Sequence, residues 1–291
     1  MAFPNARRIL RGGVSLSTFK LLAMQASLSR PAWRGIGERL IQPFVHNGEV
    51  AVRYGCHGRH YMAFVRMSDM SSDVFTMKEL ATGEGVYHLD PGFQPDLVVD
   101  GGGNIGLFAM LAAALYPSAK IVVCEPAPRS LKQIEKHLQL NRVNAEVLPV
   151  CLGGNRRTIP FYVREAIASS FDPEKPYQSV VDVNVLTLSD VLQGRDAGRI
   201  LVKLDIEGME VEVLEAWVPK EKRPVCVVGE LHSRRIHGSR LKEILDASGW
   251  SLVFRDSSET DSIFEARSPA ARIAASGDAT RGPSSPALVS G

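Results

Sequence analysis

The sequence predicts an α/β protein with a mostly parallel sheet and helices on both faces. Three observations lead there. From residue 96 onward strand-like and helix-like stretches alternate, which implies parallel strands joined by crossover helices. "DLVVDGGGNIGLFAML" (96–111) runs an apolar strand into four glycines and then a helix. The last two strand-like stretches, "WSLVF" and "DSIFEA", are joined only by "RDSSETD", which is too short for a crossover, so they should pair antiparallel.

Residues 1 to about 45 read as helical and basic, with Pro31 and Pro43 as breaks. "EVAVRYGCHGRHYMAFVRM" (49–67) alternates apolar and polar residues around a glycine-containing turn, the signal of a β-hairpin. A short helix follows at "SDVFTMKEL", with Ser72 or Asp73 as its cap. Residues 1–75 are therefore expected to form a helical and β-hairpin extension.

The main domain is expected over 76–267. "DLVVD", "AKIVVCE", "AEVLPV", "RILVKLD" and "PVCVVGEL" read as its strands. Leu107–Leu115, "RSLKQIEKHLQLN", "MEVEVLEAW" and "SRLKEILDAS" read as its helices. Residues 155–199 interrupt the rhythm with β-like pieces, "TIPFYV" and "VVDVNVLTL". From Ser268 to 291 the Ser, Ala, Gly and Pro composition predicts a disordered tail.

The bulk numbers narrow the function classes. Of 291 residues 45% are apolar and 23% charged, as in ordinary globular proteins, and a net charge of +2 gives no general affinity for nucleic acid. Cys56, Cys124, Cys151 and Cys226 form no C-x-x-C pair and read as small buried residues of a reduced, cytoplasmic compartment. No apolar run reaches the roughly 18 residues of a spanning helix, so stable membrane insertion is not expected. Arg7, Arg8, Arg11 and Lys20 read as an exposed helix face, with an anionic membrane surface as the alternative.

Gly101, Gly103 and Gly106 satisfy G-x-G-x-x-G, a pattern shared by nicotinamide dinucleotides and S-adenosylmethionine. Asp100, just before it, separates the two. A pyrophosphate about 4 Å from that carboxylate would be repelled by about 4 kcal/mol at an effective dielectric of about 20. A sulfonium and an ammonium are instead attracted. Asn104 could hydrogen-bond near the ligand's polar ends, and Glu125 ends the next strand, where an acid grips ribose hydroxyls.

A second acidic edge lies in "RILVKLDIEGMEVEVLEAW" (199–217), where Asp205 and Glu207 follow a strand and should face the same crevice. Glu210 reads as a first-turn helix charge. Glu230 and His232 end the next strand in "VVGELHSRR". "VVDGGGNIG", "EPAPRSLKQIEKHLQLN", "LPVCLGG" and "LVKLDIEGMEVEVLEA" together resemble the FkbM family of methyltransferases over about residues 75 to 265. The resemblance implies a class I methyltransferase (Rossmann-like) fold, with seven strands and an antiparallel last one. It also implies S-adenosylmethionine as cofactor and O-methylation of sugars, polyketides or glycolipids. Cys151, in "LPVCLGG", joins the cofactor-binding set on this resemblance, although packing explains its thiol well. "ASSF" (168–171) resembles the family's small-serine segment, making Ser169 and Ser170 candidates for acceptor contacts.

An alcohol must lose its proton as the methyl arrives. Glu207 is the first choice of base, with Asp205 or His232 behind it. Alternatively Asp205, Glu230 and His232 could hold a divalent cation that acidifies the alcohol. The expected partner is a small-molecule hydroxyl acceptor, and "DPEKPY" lacks the paired prolines of amino-methylating nucleic-acid enzymes. An oxidoreductase is disfavoured by Asp100 and by the lack of a Tyr-x-x-x-Lys site. An inactive scaffold is disfavoured by acids at three strand ends.

Overall fold

The computed structural model describes residues 39–70, 92–163, 177–255 and 260–272, with Lys20, Ala23, Asp73, Val74, Thr76, Met77, Tyr87, Leu89 and Asp90. Ser72, Ser169 and Ser170, the arginines of the N-terminus and most of the tail lie outside these residues.

The expected hairpin is present. After β1 (Val45–His46), β2 (Glu49–Cys56) and β3 (Arg59–Arg66) pair antiparallel from Glu49↔Arg66 to Cys56↔Arg59. The main sheet takes β4 (Leu97–Gly101), β5 (Lys120–Cys124) and β6 (Glu146–Leu148), with α1 (Leu107–Leu115) and α2 (Pro128–Asn141) between them. A three-stranded side sheet follows from β7 (Val150–Leu152), β8 (Arg157–Val163) and β9 (Ser179–Leu186), then a short α3 (Leu188–Leu192). The main sheet resumes with β10 (Ile200–Leu204), α4 (Glu210–Trp217), β11 (Val225–Leu231), α5 (Arg234–Ala247), β12 (Ser251–Phe254) and β13 (Ser262–Arg267). Its order is β12-β13-β11-β10-β4-β5-β6, parallel except that β13 runs against both neighbours. The seven-stranded, mostly parallel fold with an antiparallel last strand is what the sequence implied.

Alternation along the strands feeds two cores. Leu97, Val99, Ile200, Val202, Val225 and Val227 pack against α3, α4 and α5, with Trp217 edge-on to Trp250. Val98, Val123, Leu201 and Val228 face α1, α2 and the hairpin. Each such side chain contributes roughly 1.5–3 kcal/mol relative to an exposed one. Asp100 on β4 and, opposite it on β10, Lys203 are buried charges on this second face.

The hairpin is fixed to the domain by polar side chains of α2. Asn141 accepts from Met62 N at 2.7 Å and donates to Met62 O at 2.8 Å. His137 Nε2 accepts from Phe64 N at 2.8 Å, and Gln133 donates to Phe64 O at 2.7 Å. Three residues four apart on a helix thus satisfy a strand edge that would otherwise be bare.

Buried His137 also approaches Ile105 O through Nδ1 at 2.7 Å, so the neutral Nδ1–H tautomer serves both contacts. Burial lowers its pKa to about 4. The folded state then binds fewer protons than the unfolded chain between about pH 6.5 and 4. This contribution is therefore complete above pH 6.5 and lost as pH falls, about 3 kcal/mol at the limit. His137→Gln should flatten the fall in melting temperature between pH 7 and pH 5. An unchanged pH profile would show that His137 does not carry it.

Five details differ from the sequence reading. Asp73 is no helix cap: it is buried and accepts from Arg66 N, Nε and Nη2 at 2.8, 3.0 and 2.6 Å. "AEVLPV" divides at Pro149, which lacks an N–H, so β6 joins the main sheet and β7 the side sheet. "VVDVNVLTL" stops at Leu186 because Thr187 caps α3, exchanging hydrogen bonds of 3.1 and 3.0 Å with Asp190. Ser268 to Arg272, assigned to the tail, are docked: Ser268 Oγ accepts from Val225 N at 2.9 Å, and Ala271 is fully buried. Lys20 donates to Ala51 O at 3.2 Å and lies over the Phe44 ring, a packing role rather than a free basic face.

Candidate active site

Strand order reverses at β4: β5 and β6 follow on one side, and β10 and β11 lie on the other. Ligands of open α/β sheets bind beyond the carboxyl ends of strands at such a point. All of the predicted site residues on β4, β5, β10 and β11 end there.

The glycine loop is tied to both neighbouring strands. Gly102 N and Gly103 N donate to Cys124 O at 2.9 and 3.2 Å, and Asp205 N donates to Gly101 O at 3.2 Å. Gly106 N closes on Gly103 O at 2.7 Å, and Gly106 opens α1 at φ 81°. The most constrained glycine is one the motif leaves variable. Gly102 has φ +78°, and a Cβ there would lie 1.8 Å from Asp205 O.

Asp100 lies beneath this loop rather than at its mouth. It is fully buried, neither carboxylate oxygen has a hydrogen-bond partner, and the Lys203 ammonium stands 3.4 Å from Oδ1. Burial pushes the Asp100 carboxyl up, and Lys203 offsets this only in part. Burial works against the lysine charge too, but Asp100 and Asp205 outweigh it. Because the pair is nearly neutral, Asp100 repels a pyrophosphate less than an isolated carboxylate would.

Glu125 holds the opposite side. Its oxygens accept from Asn104 N and Ala127 N, both at 2.8 Å, and burial raises its pKa to about 7. Each oxygen keeps an acceptor site for a ligand hydroxyl. Asn104, at φ 48°, turns its side-chain amide to Thr76 Oγ1 at 3.3 Å. Cys151 is buried behind this wall with Ala127, Phe161 and Met209. Burial raises its thiol to about 12, so it packs and is no nucleophile. All four cysteines are unpaired and buried.

The second acidic edge assembles around His232. Its Nε2 is 3.9 Å from Asp205 Oδ1 and 3.8 Å from Glu207 Oε2, and its Nδ1 is 3.0 Å from Glu210 Oε1. Glu210, read as a helix charge, is buried and accepts from Ile206 N and Gly208 N at 3.1 Å. It thereby shapes the loop and orients the imidazole. Burial opposes the His232 charge, but Glu210, Glu207 and Asp205 outweigh it and raise the pKa to about 9. The raised pKa favours the protonated ring at neutral pH and so counts against His232 as the reserve base. Burial and the neighbouring Asp205 push Glu230 up to about 7. Glu207 adopts φ 58° next to Gly208 at φ 105°, a strained conformation of the kind found at functional sites.

Sequence reasoning missed Lys203, Gly102 and Tyr87. Tyr87 Oη donates to Asp205 Oδ2 at 3.2 Å, and its ring stands edge-on to Phe108. One oxygen each from Asp205 and Glu230 and one nitrogen of His232 lie within 4.8 Å of one another, so these three could converge on one cation.

The sheet order and the glycine-loop crevice define a class I methyltransferase fold. The family model described as the methyltransferase FkbM domain matches residues 100–253, and the chain belongs to that family of methyltransferases. It is 35% identical to methyltransferase sdnD of Sordaria araneosa over 177 residues, 44% of this chain and 68% of that protein. To Methyltransferase 1 of Beauveria bassiana (strain ARSEF 2860) it is 25% identical over 202 residues, 57% and 77% of the two chains. Among solved structures it is similar to a T. thermophilus 16S rRNA methyltransferase in complex with AdoMet and guanosine. That likeness has a TM-score of 0.45 at 12% identity, covering 77% of this chain and 51% of that one, and carries no weight for activity or acceptor. Among the described residues no helix is long and apolar enough to cross a membrane.

Proposed function

We propose that this chain transfers a methyl group from S-adenosylmethionine to a hydroxyl of a small molecule, such as a sugar, glycolipid or polyketide. The carrying observation is that Asp205, Glu207 and Glu230 border the crevice that the glycine loop opens. Their charge suits a cationic cofactor, and their position suits an acceptor that must lose a proton. The free acceptor sites of Glu125 fit the same ligand.

S-adenosylmethionine, when bound, supplies a methyl carbon on a sulfonium. The glycine loop and Glu125 would hold it, and it would offer that methyl carbon to the acceptor oxygen, sulfur keeping the bonding pair. The protein's part is to hold the acceptor in line and take its proton. A base works best with its pKa near the working pH. Glu230, raised to about 7, meets that condition. Glu207 instead has its Oε2 3.8 Å from His232 Nε2. The assignment thus moves from Glu207 to Glu230 within the same cluster.

The alternative keeps the residues and changes the activator. A divalent cation held by Asp205, Glu230 and a deprotonated His232 would lower the acceptor's pKa instead. Label transfer from methyl-labelled S-adenosylmethionine to panels of hydroxyl and amine compounds, with and without chelator, tests the reading. Transfer to hydroxyls that survives chelation supports the carboxylate base. Loss on chelation supports the cation, and transfer to amines alone would refute hydroxyl methylation.

A further inference from the structure

Lys203 is the buried cation of the site, and its contacts are not those of a plain counter-ion. Its Nζ donates to Gly102 O at 2.6 Å, while Asp100 Oδ1 is 3.4 Å away and Asp205 Oδ2 is 3.7 Å away. The shortest contact is to the loop carbonyl, and the Asp100 carboxylate stands 0.8 Å farther off. A lysine present only to neutralise Asp100 would turn its hydrogen bond to the carboxylate, where a charge-assisted bond is stronger.

The location adds to this. Gly102 is the loop residue with no room for a Cβ against Asp205 O, so the glycine loop and the β10 terminus touch at this point. Lys203 binds the carbonyl on one side of that contact and faces the Asp205 carboxylate on the other. Asp205 is in turn held by Tyr87 and faces His232. The ammonium therefore joins the two halves of the crevice, the glycine loop and the acidic edge.

We propose that Lys203 is a positioning residue that pins the Gly102 carbonyl and locks the glycine loop to the Asp205 edge, preorganising the cofactor site. The proposal rests on the cofactor reading above for the identity of the ligand, but not for the state of the loop. Without the ammonium, Gly102 O loses its donor, and the loop must be ordered when ligand arrives.

Lys203→Met alone leaves Asp100 as a buried, unpaired charge and risks unfolding. The informative comparison is Asp100→Asn with Lys203→Met against Asp100→Asn alone, since neither carries a buried carboxylate at that position. The double variant should melt close to the single variant. Its amides at Gly102, Gly103 and Gly106 should exchange hydrogen about tenfold faster, and S-adenosylhomocysteine should bind about tenfold more weakly. Lys203→Arg with Asp100→Asn, which keeps a cationic donor, should recover part of both. Equal loop exchange in Asp100→Asn and in the double variant with Lys203→Met overturns the proposal whether or not ligand binds. Faster exchange in a protein whose wild type binds no S-adenosylhomocysteine would uphold the loop lock and refute the cofactor reading.

Discussion

Glu230→Gln is expected to slow methyl transfer at neutral pH by roughly 10²–10⁴-fold, the usual worth of a positioned general base. The amide keeps the size of the side chain and part of its hydrogen-bonding capacity but cannot take the acceptor's proton. Cofactor affinity should hold, because the reach to Glu125 and the glycine loop is untouched. In the wild type, kcat/KM should rise with pH through about 7, since only the ionised carboxylate is a base and Glu230 loses its proton there. The substitution should remove that limb. Glu207→Gln, made alongside, should cost less, because Glu207 pairs with protonated His232. A loss confined to Glu207→Gln would return the base to the residue the sequence favoured.

Gly102→Ala is expected to be the most damaging added methyl among the described glycines. The added carbon would sit 1.8 Å from a backbone oxygen of Asp205, at φ +78°, so no side-chain rotation relieves it. The strand end must move, and a strained or overpacked backbone site of this kind costs roughly 3 kcal/mol or more. The expected result is a melting temperature lowered by several degrees and no measurable cofactor binding. Gly208→Ala is the control: its φ is +105° but nothing lies within 4 Å, so strain applies without collision. Equal behaviour of the two variants would show that the collision is relieved cheaply.

The legible parts of this protein are those encoded over short spans. "DLVVDGGGNIGLFAML" spells strand, turn and helix in one short run, and "EVAVRYGCHGRHYMAFVRM" spells a hairpin. Both stand as read. The acidic edge is legible because rules for open sheets bring Asp205, Glu207, Glu230 and His232 to one crevice. The remainder depends on pairings across long separations. Tyr87 meets Asp205 across 118 positions, and Lys203 meets Gly102 O across 101. A lysine inside "ILVKL" shows no periodicity that distinguishes a buried clamp from an ordinary strand residue. Gln133, His137 and Asn141 look like the polar face of a surface helix until β3 is laid against them. Glu210 hides its role for the same reason. First-turn acids suit helix dipoles anywhere, and only the fold shows this one buried against His232.

That the crevice beyond β4 and β10 is a site for S-adenosylmethionine is tested most directly by calorimetry. The wild-type protein would be titrated with S-adenosylhomocysteine and, separately, with NAD. The expected result is saturable one-to-one binding of S-adenosylhomocysteine, weakened in Glu125→Gln, and no binding of NAD. Binding of NAD with none of S-adenosylhomocysteine would contradict it.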